Sequence, residues 1–242
     1  MNFDERVRRK NEFDGNLVYG TKQFNLLTGR HRHLGYRQKH DNQWINAKKG
    51  LIHNKFAEKR RCPLCGADYF DTLFLKEGFP HQKCRVCELV YVSPILNREV
   101  YMRWSRNERT YVSVLKTKVQ TKMQTLKSIY ILDILRLYLN KRSVVDVCDI
   151  GCGPGVLLSE AKKRKYNAFG IEPNKKCHKL LEKKGIDYTR DFFPLKEYGR
   201  KKFDCVFLLN VLEHMRNPVE MAKATKKNIE NPRSYLHFSA QY

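Results

Sequence analysis

The second half of the chain alternates between short apolar runs and segments with a helical spacing of apolar residues. Residues 144–150 read VVDVCDI, an almost uninterrupted apolar run that is typical of a strand covered on both faces. Similar runs predict strands at 168–171, 186–188, 204–209 and 235–239, and the segments 156–165, 174–184 and 219–229 predict helices between them. This alternation predicts an α/β fold with a Rossmann-like parallel sheet and helices on both faces.

A long amphipathic segment lies just before the first of these strands. Its apolar residues recur at steps of three and four, which predicts one helix from about Tyr111 to Leu139 that packs against a domain. Lysines such as Lys127 lie mostly off the apolar stripe. The predicted stripe consists of Leu115, Val119, Met123, Leu126, Tyr130, Ile134 and Leu137.

The first part of the chain is polar, basic and only weakly periodic, and glycines interrupt it repeatedly. We interpret residues 1–61 as a loosely structured extension that could bind a polyanion. Its four histidines match no metal-ligand spacing, so we interpret them as surface residues; they are His31, His33, His40 and His53. The predicted organisation is therefore this extension, a cysteine-rich unit at 62–95, a helical linker at 96–142 and the sheet domain at 143–242.

The composition combines an adequate core with a strong positive charge. Hydrophobic residues make up 41% of the 242 residues, which argues against wholesale disorder. The formal net charge of +23 predicts non-specific attraction to polyanions such as RNA, but the charge is spread along the chain and defines no single surface. The sequence opens without a secretory signal and has no membrane-span-like apolar stretch, so we expect a soluble, cytoplasmic protein.

Four of the eight cysteines form two CxxC pairs. Cys62 and Cys65 belong to CPLCG, and after an eighteen-residue gap Cys84 and Cys87 belong to CRVC. Two such pairs can supply four thiolates to a tetrahedral Zn²⁺ at about 2.3 Å each. Because protein fills all four positions, the predicted site is a structural zinc ribbon and not a catalytic centre. The residues between the pairs predict a small hairpin on the metal, and they include Tyr69, Phe70, Leu73, Phe74, Leu75 and Phe79.

The sequence DIGCGPG at 149–155 predicts a glycine turn between a strand and a helix, and its ligand is the open question. A triphosphate-binding loop needs a lysine that this turn lacks, and a dinucleotide loop needs a third glycine where Val156 stands. Asp149, just before the turn, suits a cationic amino group. Glu172, at the end of the next strand, suits a ribose. Ribose without phosphates and an amino group together describe S-adenosylmethionine.

These motifs, with GIEPN at 170–174 and FDCVFLLNVLEHMRNP at 203–218, resemble the class I S-adenosylmethionine-dependent methyltransferases. The cysteine unit is similar to the zinc-binding module that precedes many bacterial methyltransferases of sugars and small molecules. The resemblance implies a cofactor-binding set of Asp149, Gly151, Cys152, Gly153, Gly155, Glu172, Pro173, Asp191, Phe192 and Asn210. Asp149 and the glycines would line the methionine end and Glu172 the ribose. Pro173, Asp191 and Phe192 would meet the adenine, and Asn210 would face the methyl group.

Methyl transfer to an oxygen also removes a proton, and a base beside the acceptor helps. Glu213 and His214 are the candidate catalytic residues, with His214 as base and Glu213 orienting it or binding substrate. An alternative is that this pair only caps the following helix. Some related enzymes bind Mg²⁺ through Glu-x-x-Glu-His at this place, but Asn210 replaces the first glutamate here.

Three functions remain open from the sequence. The primary hypothesis is a methyltransferase acting on an O or C atom of a small molecule or sugar. The alternatives are an RNA-directed 2′-O-methyltransferase, favoured by the charge, and a non-catalytic zinc-bearing binding module. Because the family normally continues past the fifth strand, we expect a truncated domain whose sheet a partner chain could complete.

Overall fold

The structure, a computed structural model, describes residues 42–46, 48–108, 117–139, 144–194, 202–229 and 235–239. Two bodies can be followed in it, an N-terminal module at 42–108 and a sheet domain from 117 onwards. The start of the predicted long helix, including Leu115, lies outside the described residues, as do His31, His33 and His40.

The sheet domain is built on one parallel sheet. Its strands are β8 (Asp146–Ile150), β9 (Asn167–Ile171), β10 (Asp187–Thr189), β11 (Cys205–Leu209) and β12 (Tyr235–Ser239). They lie in the order β10-β9-β8-β11-β12, with β8 in the centre. All five predicted strands are confirmed to within two residues at either end. Because parallel strands end at a common edge, the residues that follow β8, β9 and β11 are brought together there.

Helices cover both faces of this sheet, as predicted. They are α2 (Lys118–Tyr138), α3 (Val156–Lys163), α4 (Lys175–Lys183) and α5 (Pro218–Lys227). Side chains alternate along the strands, so Val147 and Phe207 join a core cluster with α2, α3 and α4, while Cys148 and Val206 join a second cluster with α5. Each fully buried side chain such as Phe207 contributes about 1.5–3 kcal/mol of hydrophobic stabilisation.

The buried face of α2 differs from the predicted stripe. The core-facing residues are Ile131, Leu132 and Leu135, followed by Leu139, and they pack against α3. Leu137, a predicted stripe residue, is 40% exposed, and the other stripe residues within the described helix are only half-buried. Two apolar stripes lie side by side on this helix. Packing against α3 determines which stripe is buried, and the spacing of apolar residues in the sequence does not predict that packing.

The N-terminal module consists of short strands and one helix. Its elements are β1 (Ile45–Asn46), β2 (Leu51–Ile52), β3 (Ala57–Glu58), β4 (Phe70–Lys76), β5 (Phe79–Cys84), β6 (Val90–Val92), β7 (Ile95–Leu96) and α1 (Arg98–Asn107). β1 pairs with β2, β3 with β7, and β4, β5 and β6 form an antiparallel sheet. The part of the predicted extension from residue 42 onwards therefore contributes regular structure to the module.

The β4–β5 hairpin forms between the two CxxC pairs, as the sequence predicts. Its apolar side chains do not make a core, however, because Phe74 and Leu75 are half exposed and Tyr69 is 57% exposed. The buried cluster of the module is instead Cys62, Cys84 and Tyr91. Its small size indicates that the module needs a further source of stability.

No helix among the described ranges is long and apolar enough to cross a membrane.

Candidate active site and metal centre

The glycine turn follows β8 at the centre of the carboxyl edge. The amide of Gly151 donates to the carbonyl of Ile171 at 2.7 Å, which fastens the turn to the end of β9. Gly151 has a φ of +73°, and a Cβ there would lie 2.6 Å from Cγ2 of Val211. Only glycine fits this position, because the backbone is left-handed and the space is filled. The turn therefore offers bare backbone to a ligand.

The far side of the turn is fixed against α3 and α4. Gly155 caps α3 in the left-handed conformation, with a φ of +67°. Lys184, just after α4, donates from Nζ to the carbonyl of Pro154 at 2.6 Å. The side chain of Cys152 is buried in the core cluster, and burial raises the pKa of its thiol well above the ordinary value. A role of Cys152 toward a cofactor would therefore run through its backbone.

Glu172 connects the turn to the start of α4. Its carboxylate accepts from the amides of Gly153 and Asn174, each at 2.7 Å. The carbonyl of the same residue contacts Nε2 of His178 at 2.9 Å. Glu172 is buried, and burial raises its carboxyl pKa although the two amides oppose that shift. Each carboxylate oxygen has a second lone pair, so the carboxylate can accept further hydrogen bonds from a diol.

Two buried oxygens at this edge lack a hydrogen-bond partner among the described residues. They are Oδ1 of Asp149, in β8, and Oδ1 of Asn210, directly after β11. Asp149 is 4% exposed, and burial, with the nearby charge of Glu172, raises its carboxyl pKa well above 3.8. Asn210 has a φ of +56°, a conformation that asparagine tolerates better than most residues. An unpaired buried acceptor costs free energy, and a bound donor would remove that cost.

These groups fit S-adenosylmethionine on chemical grounds. The molecule carries a cationic amino group for Asp149 and a ribose diol for Glu172, and it needs no phosphate-binding lysine. The unpaired Oδ1 of Asp149 is the observation that tests this fit, because a buried acceptor with a raised pKa is satisfied by a cationic donor.

The residues predicted for the adenine lie at the other end of the same edge. Asp191 follows β10, and its carboxylate accepts from the Thr189 hydroxyl at 3.0 Å. The ring of Phe192 lies 5.2 Å from the guanidinium carbon of Arg106, which comes from α1. Pro173 is half-buried between Glu172 and the start of α4.

The candidate catalytic pair lies in a single 3-10 turn, Leu212–His214, between β11 and α5. Both side chains are exposed. The capping alternative does not hold, because Asn217 caps α5 by accepting from the amide of Glu220 at 3.0 Å. Burial lowers the pKa of Lys127 on α2, and the negative charge of Glu213 opposes that shift. The sequence suggested no role for Lys127.

The four paired cysteines come together in the N-terminal module. The sulfur atoms of Cys62, Cys65, Cys84 and Cys87 all lie within 4.8 Å of one another. The Cys62–Cys87 and Cys65–Cys84 sulfur separations are 3.5 and 3.6 Å, close to the ~3.8 Å edge of a tetrahedron with Zn–S bonds of about 2.3 Å. The backbone amides of Cys87 and Val86 lower the pKa of Cys84 to about 7. The Leu89 amide opposes a rise in the pKa of Cys87, but burial and the neighbouring thiols raise it nonetheless. The cluster could therefore hold a metal ion.

Helix α1 is the feature of this site that sequence reasoning missed. Near its start, the Tyr101 hydroxyl donates to the carbonyl of His214 at 3.2 Å. At its end, Arg106 meets Phe192, and the carbonyl of Glu108 accepts from the Asn174 side chain at 2.9 Å. A ten-residue helix is about 15 Å long, so α1 reaches from the Leu212–His214 turn to Phe192 at the other end of the edge. These contacts are distant in sequence, and no local pattern signals them.

The parallel sheet, its helices on both faces and the glycine turn after its central strand together define an α/β domain of the Rossmann-like class. Residues 120–241, half of the chain, match the family model described as a methyltransferase domain. The chain therefore belongs to this methyltransferase domain family.

Curated relatives share a part of their sequence with this chain. A ubiquinone biosynthesis O-methyltransferase from Hahella chejuensis is 27% identical over 124 residues, which cover 47% of this chain and 52% of the relative. The protein of the same description from Actinobacillus pleuropneumoniae is 30% identical over 131 residues, covering 48% of this chain and 56% of the relative. The chain thus spans about half the length of the curated relatives that it matches.

Solved structures with a similar fold include a plantazolicin methyltransferase, BpumL, in complex with a monoazolic desmethylPZN analog and SAH. It is 18% identical, with a TM-score of 0.46, and the match covers 55% of this chain and 53% of that one. The amino pentose methyltransferase CalS10 from Micromonospora echinaspora is 19% identical, with a TM-score of 0.39 and coverages of 48% and 50%.

Proposed function

We propose that this protein is an S-adenosylmethionine-dependent methyltransferase that moves a methyl group to an oxygen or carbon atom of a small molecule or sugar. The observation that carries the proposal is the unpaired, buried Asp149 oxygen beside the glycine turn, with the Glu172 carboxylate at the end of the next strand. Family membership and relatives described as O-methyltransferases support it.

S-adenosylmethionine, when bound, supplies an electrophilic methyl group on a sulfonium. The residues of this chain bind and orient it. Asp149 accepts from the amino group, Glu172 accepts from the ribose hydroxyls, and the glycine backbone allows close approach. Asp191 and Phe192 hold the adenine, and Asn210 accepts at the methyl end.

On the acceptor side, the protein holds the attacking atom in line and removes its proton. His214 is the general base in this proposal, because imidazole is the side chain that most often serves as a general base and this one is exposed at the carboxyl edge. Glu213, next to His214 in the same turn, orients the base or binds the acceptor. Alignment of the acceptor with the methyl group supplies most of the rate gain, since the reaction needs little other chemistry.

In the N-terminal module we propose a structural Zn²⁺ held by Cys62, Cys65, Cys84 and Cys87. Four thiolate ligands leave no open coordination position, so the metal would stabilise the module and take no part in methyl transfer. The small buried cluster around Tyr91 supports this role.

Cofactor binding is tested by titration calorimetry on the full chain. We expect the wild type to bind S-adenosylmethionine and Glu172→Ala to bind at least about tenfold more weakly, because two or more charge-assisted hydrogen bonds are lost. Glu182→Ala, an exposed glutamate on α4, is the matched control and should bind like the wild type. No binding by the wild type would reject the proposal.

Transfer of a labelled methyl group into cell extract then separates the candidate functions. Label in the small-molecule fraction supports the proposal. Label that disappears on ribonuclease treatment supports an RNA-directed enzyme instead, which the net charge of +23 favours. Cofactor binding without any transfer would leave a non-catalytic binding module.

A further inference from the structure

We propose that the N-terminal module sets the position of residues 212–216, which are the catalytic turn of the proposed function, with Arg216, Arg60 and Tyr101 as positioning residues. The inference rests on the proposed function for the role of the turn, but the contacts that carry it are independent of any ligand. Three side chains make hydrogen bonds between residues 58–101 of the module and residues 214–216 after β11.

Arg216 reaches from the turn into the module. Its Nη1 donates to the carbonyl of Leu96, at the end of β7, at 2.5 Å. Its Nη2 lies 2.5 Å from Oε1 of Glu58, in the paired strand β3. The guanidinium therefore spans both strands of the β3–β7 pair. The Arg216 side chain is 24% exposed, while the Glu58 side chain is 46% exposed, so the ion pair is partly shielded from water.

Arg60 reaches in the opposite direction, from the module to the turn. Its Nη1 donates to the carbonyl of Arg216 at 3.0 Å, and its Nε donates to the carbonyl of Val92 at 2.8 Å. Its backbone is fixed as well, because the amide of Arg60 donates to the Ser93 hydroxyl and that hydroxyl donates back to the Arg60 carbonyl. The donor is thus held in place before it meets the turn.

Tyr101 makes the third contact, from α1 to the carbonyl of His214 at 3.2 Å. Burial raises the pKa of this phenol, so it remains a donor. The carbonyls of His214 and Arg216 both accept hydrogen bonds from side chains of the module, and neither is used inside a long helix. A turn of one 3-10 unit has few hydrogen bonds of its own, so these outside contacts determine how tightly it is held.

These hydrogen bonds matter for methyl transfer because a base must stay within hydrogen-bond reach of the acceptor proton. The module would then contribute to the active site by positioning the turn that carries the base. The glycine turn and Glu172 are fixed by other contacts, to Ile171, Asn174 and Lys184. Loosening the catalytic turn should therefore leave cofactor binding unchanged.

The test is amide hydrogen exchange of the full-length protein, read for the peptide that covers residues 211–217 and for a reference peptide in α3. In Arg216→Ala we expect exchange in the 211–217 peptide to rise by about tenfold or more, since charge-assisted hydrogen bonds are lost, with the α3 peptide unchanged. Arg216→Lys keeps the charge near Glu58 but loses the forked geometry of the guanidinium. Its exchange rate in the 211–217 peptide should lie between those of the wild type and Arg216→Ala. Arg103→Ala, on the exposed face of α1, is the matched control.

Tyr101→Phe keeps the test decisive if Arg216→Ala unfolds the protein. It removes one hydroxyl, and it too should speed exchange only in the 211–217 peptide. Unchanged exchange in that peptide in both Arg216→Lys and Tyr101→Phe would overturn the proposal. Affinity for S-adenosylmethionine is measured on the same variants and should equal that of the wild type. If the wild type does not bind S-adenosylmethionine, the proposed function is rejected. The exchange measurements would still decide whether the module positions the turn.

Discussion

Asp149 is a buried acidic residue that the fold leaves without a hydrogen bond at one carboxylate oxygen. It is 4% exposed, its Oδ1 has no hydrogen bond among the described residues, and Glu172 adds a second acidic group nearby. Burial and this neighbour both raise its carboxyl pKa above the ordinary value of 3.8. A protein tolerates such a group when the group does something other than stabilise the fold.

Asp149→Asn should weaken S-adenosylmethionine binding by about 10- to 100-fold, because a charge-assisted hydrogen bond of about 1.5–3 kcal/mol is lost. The variant should not unfold more easily than the wild type without cofactor, since asparagine has nearly the same shape and no charge to bury. Calorimetric affinity and thermal unfolding measure the two effects. Weaker binding together with a clear loss of stability would indicate misfolding instead.

The raised pKa of Asp149 predicts how the affinity for S-adenosylmethionine depends on pH. A carboxyl with a raised folded-state pKa stabilises the cofactor-free protein at low pH, and that contribution is lost as pH rises through the raised value. The ionised form is the one that binds a cationic amino group, so affinity should increase with pH above 3.8 and binding should release a proton. Asp149→Asn should reduce the change of affinity with pH. The dependence that remains should come from Glu172, whose carboxyl pKa is also raised by burial.

The sequence was sufficient to place Asp149, Gly151 and Glu172 near one edge of the sheet, because they lie at or directly after the ends of predicted strands. Gly151 and Asp149 lie within three positions of one another, and Glu172 follows the next strand directly. The contacts of Arg60, Tyr101 and Arg216 were not predictable in this way. Each joins residues more than 100 positions apart, and each depends on how the module packs against the sheet domain.

Among the helices, α2 shows most clearly where periodicity fails. The predicted stripe and the observed buried face both have helical spacing, and they are displaced around the helix by roughly one position. A side chain one position away points about 100° around the helix. Neighbouring apolar stripes therefore give similar patterns, and the packing of Leu132 and Leu135 against α3 determines the buried face.

Two leucines on α2 test this assignment directly. Leu132→Ala should lower the free energy of unfolding by about 2–5 kcal/mol, because Leu132 is 0% exposed and its loss leaves a cavity. Leu137→Ala, at 40% exposure on the predicted stripe, should change it by less than about 0.5 kcal/mol. Denaturant unfolding monitored by circular dichroism measures both. Equal losses would show that the predicted stripe also packs.

The N-terminal module and the sheet domain depend on different sources of stability. The sheet domain has two buried clusters, one on each face, whereas the module has one cluster of Cys62, Cys84 and Tyr91. Two of those three residues are candidate metal ligands. The module's order should therefore depend on the metal, and the sheet domain's order should not.

We expect one Zn²⁺ per chain by elemental analysis, and its removal by a chelator should unfold the module while the parallel sheet remains. Exchange should rise throughout β4, β5 and β6, and to a smaller extent at residues 211–217, because Arg60 precedes Cys62 by two positions and lies 5.9 Å from the Tyr91 ring. Peptides from β8 and α3 should keep their protection, since their contacts lie within the sheet domain.

Cysteine substitutions separate a metal effect from a general loss of stability. Cys65→Ser should remove the metal, because one of four thiolate ligands is lost and the remaining three bind much more weakly. Cys177→Ser, on α4 and outside the cluster, should keep a full equivalent of zinc even if it destabilises the sheet domain. Full metal content in Cys65→Ser, or chelation that leaves β4 to β6 protected, would contradict a structural zinc. In that case another interaction would have to stabilise the module where it contacts residues 214–216.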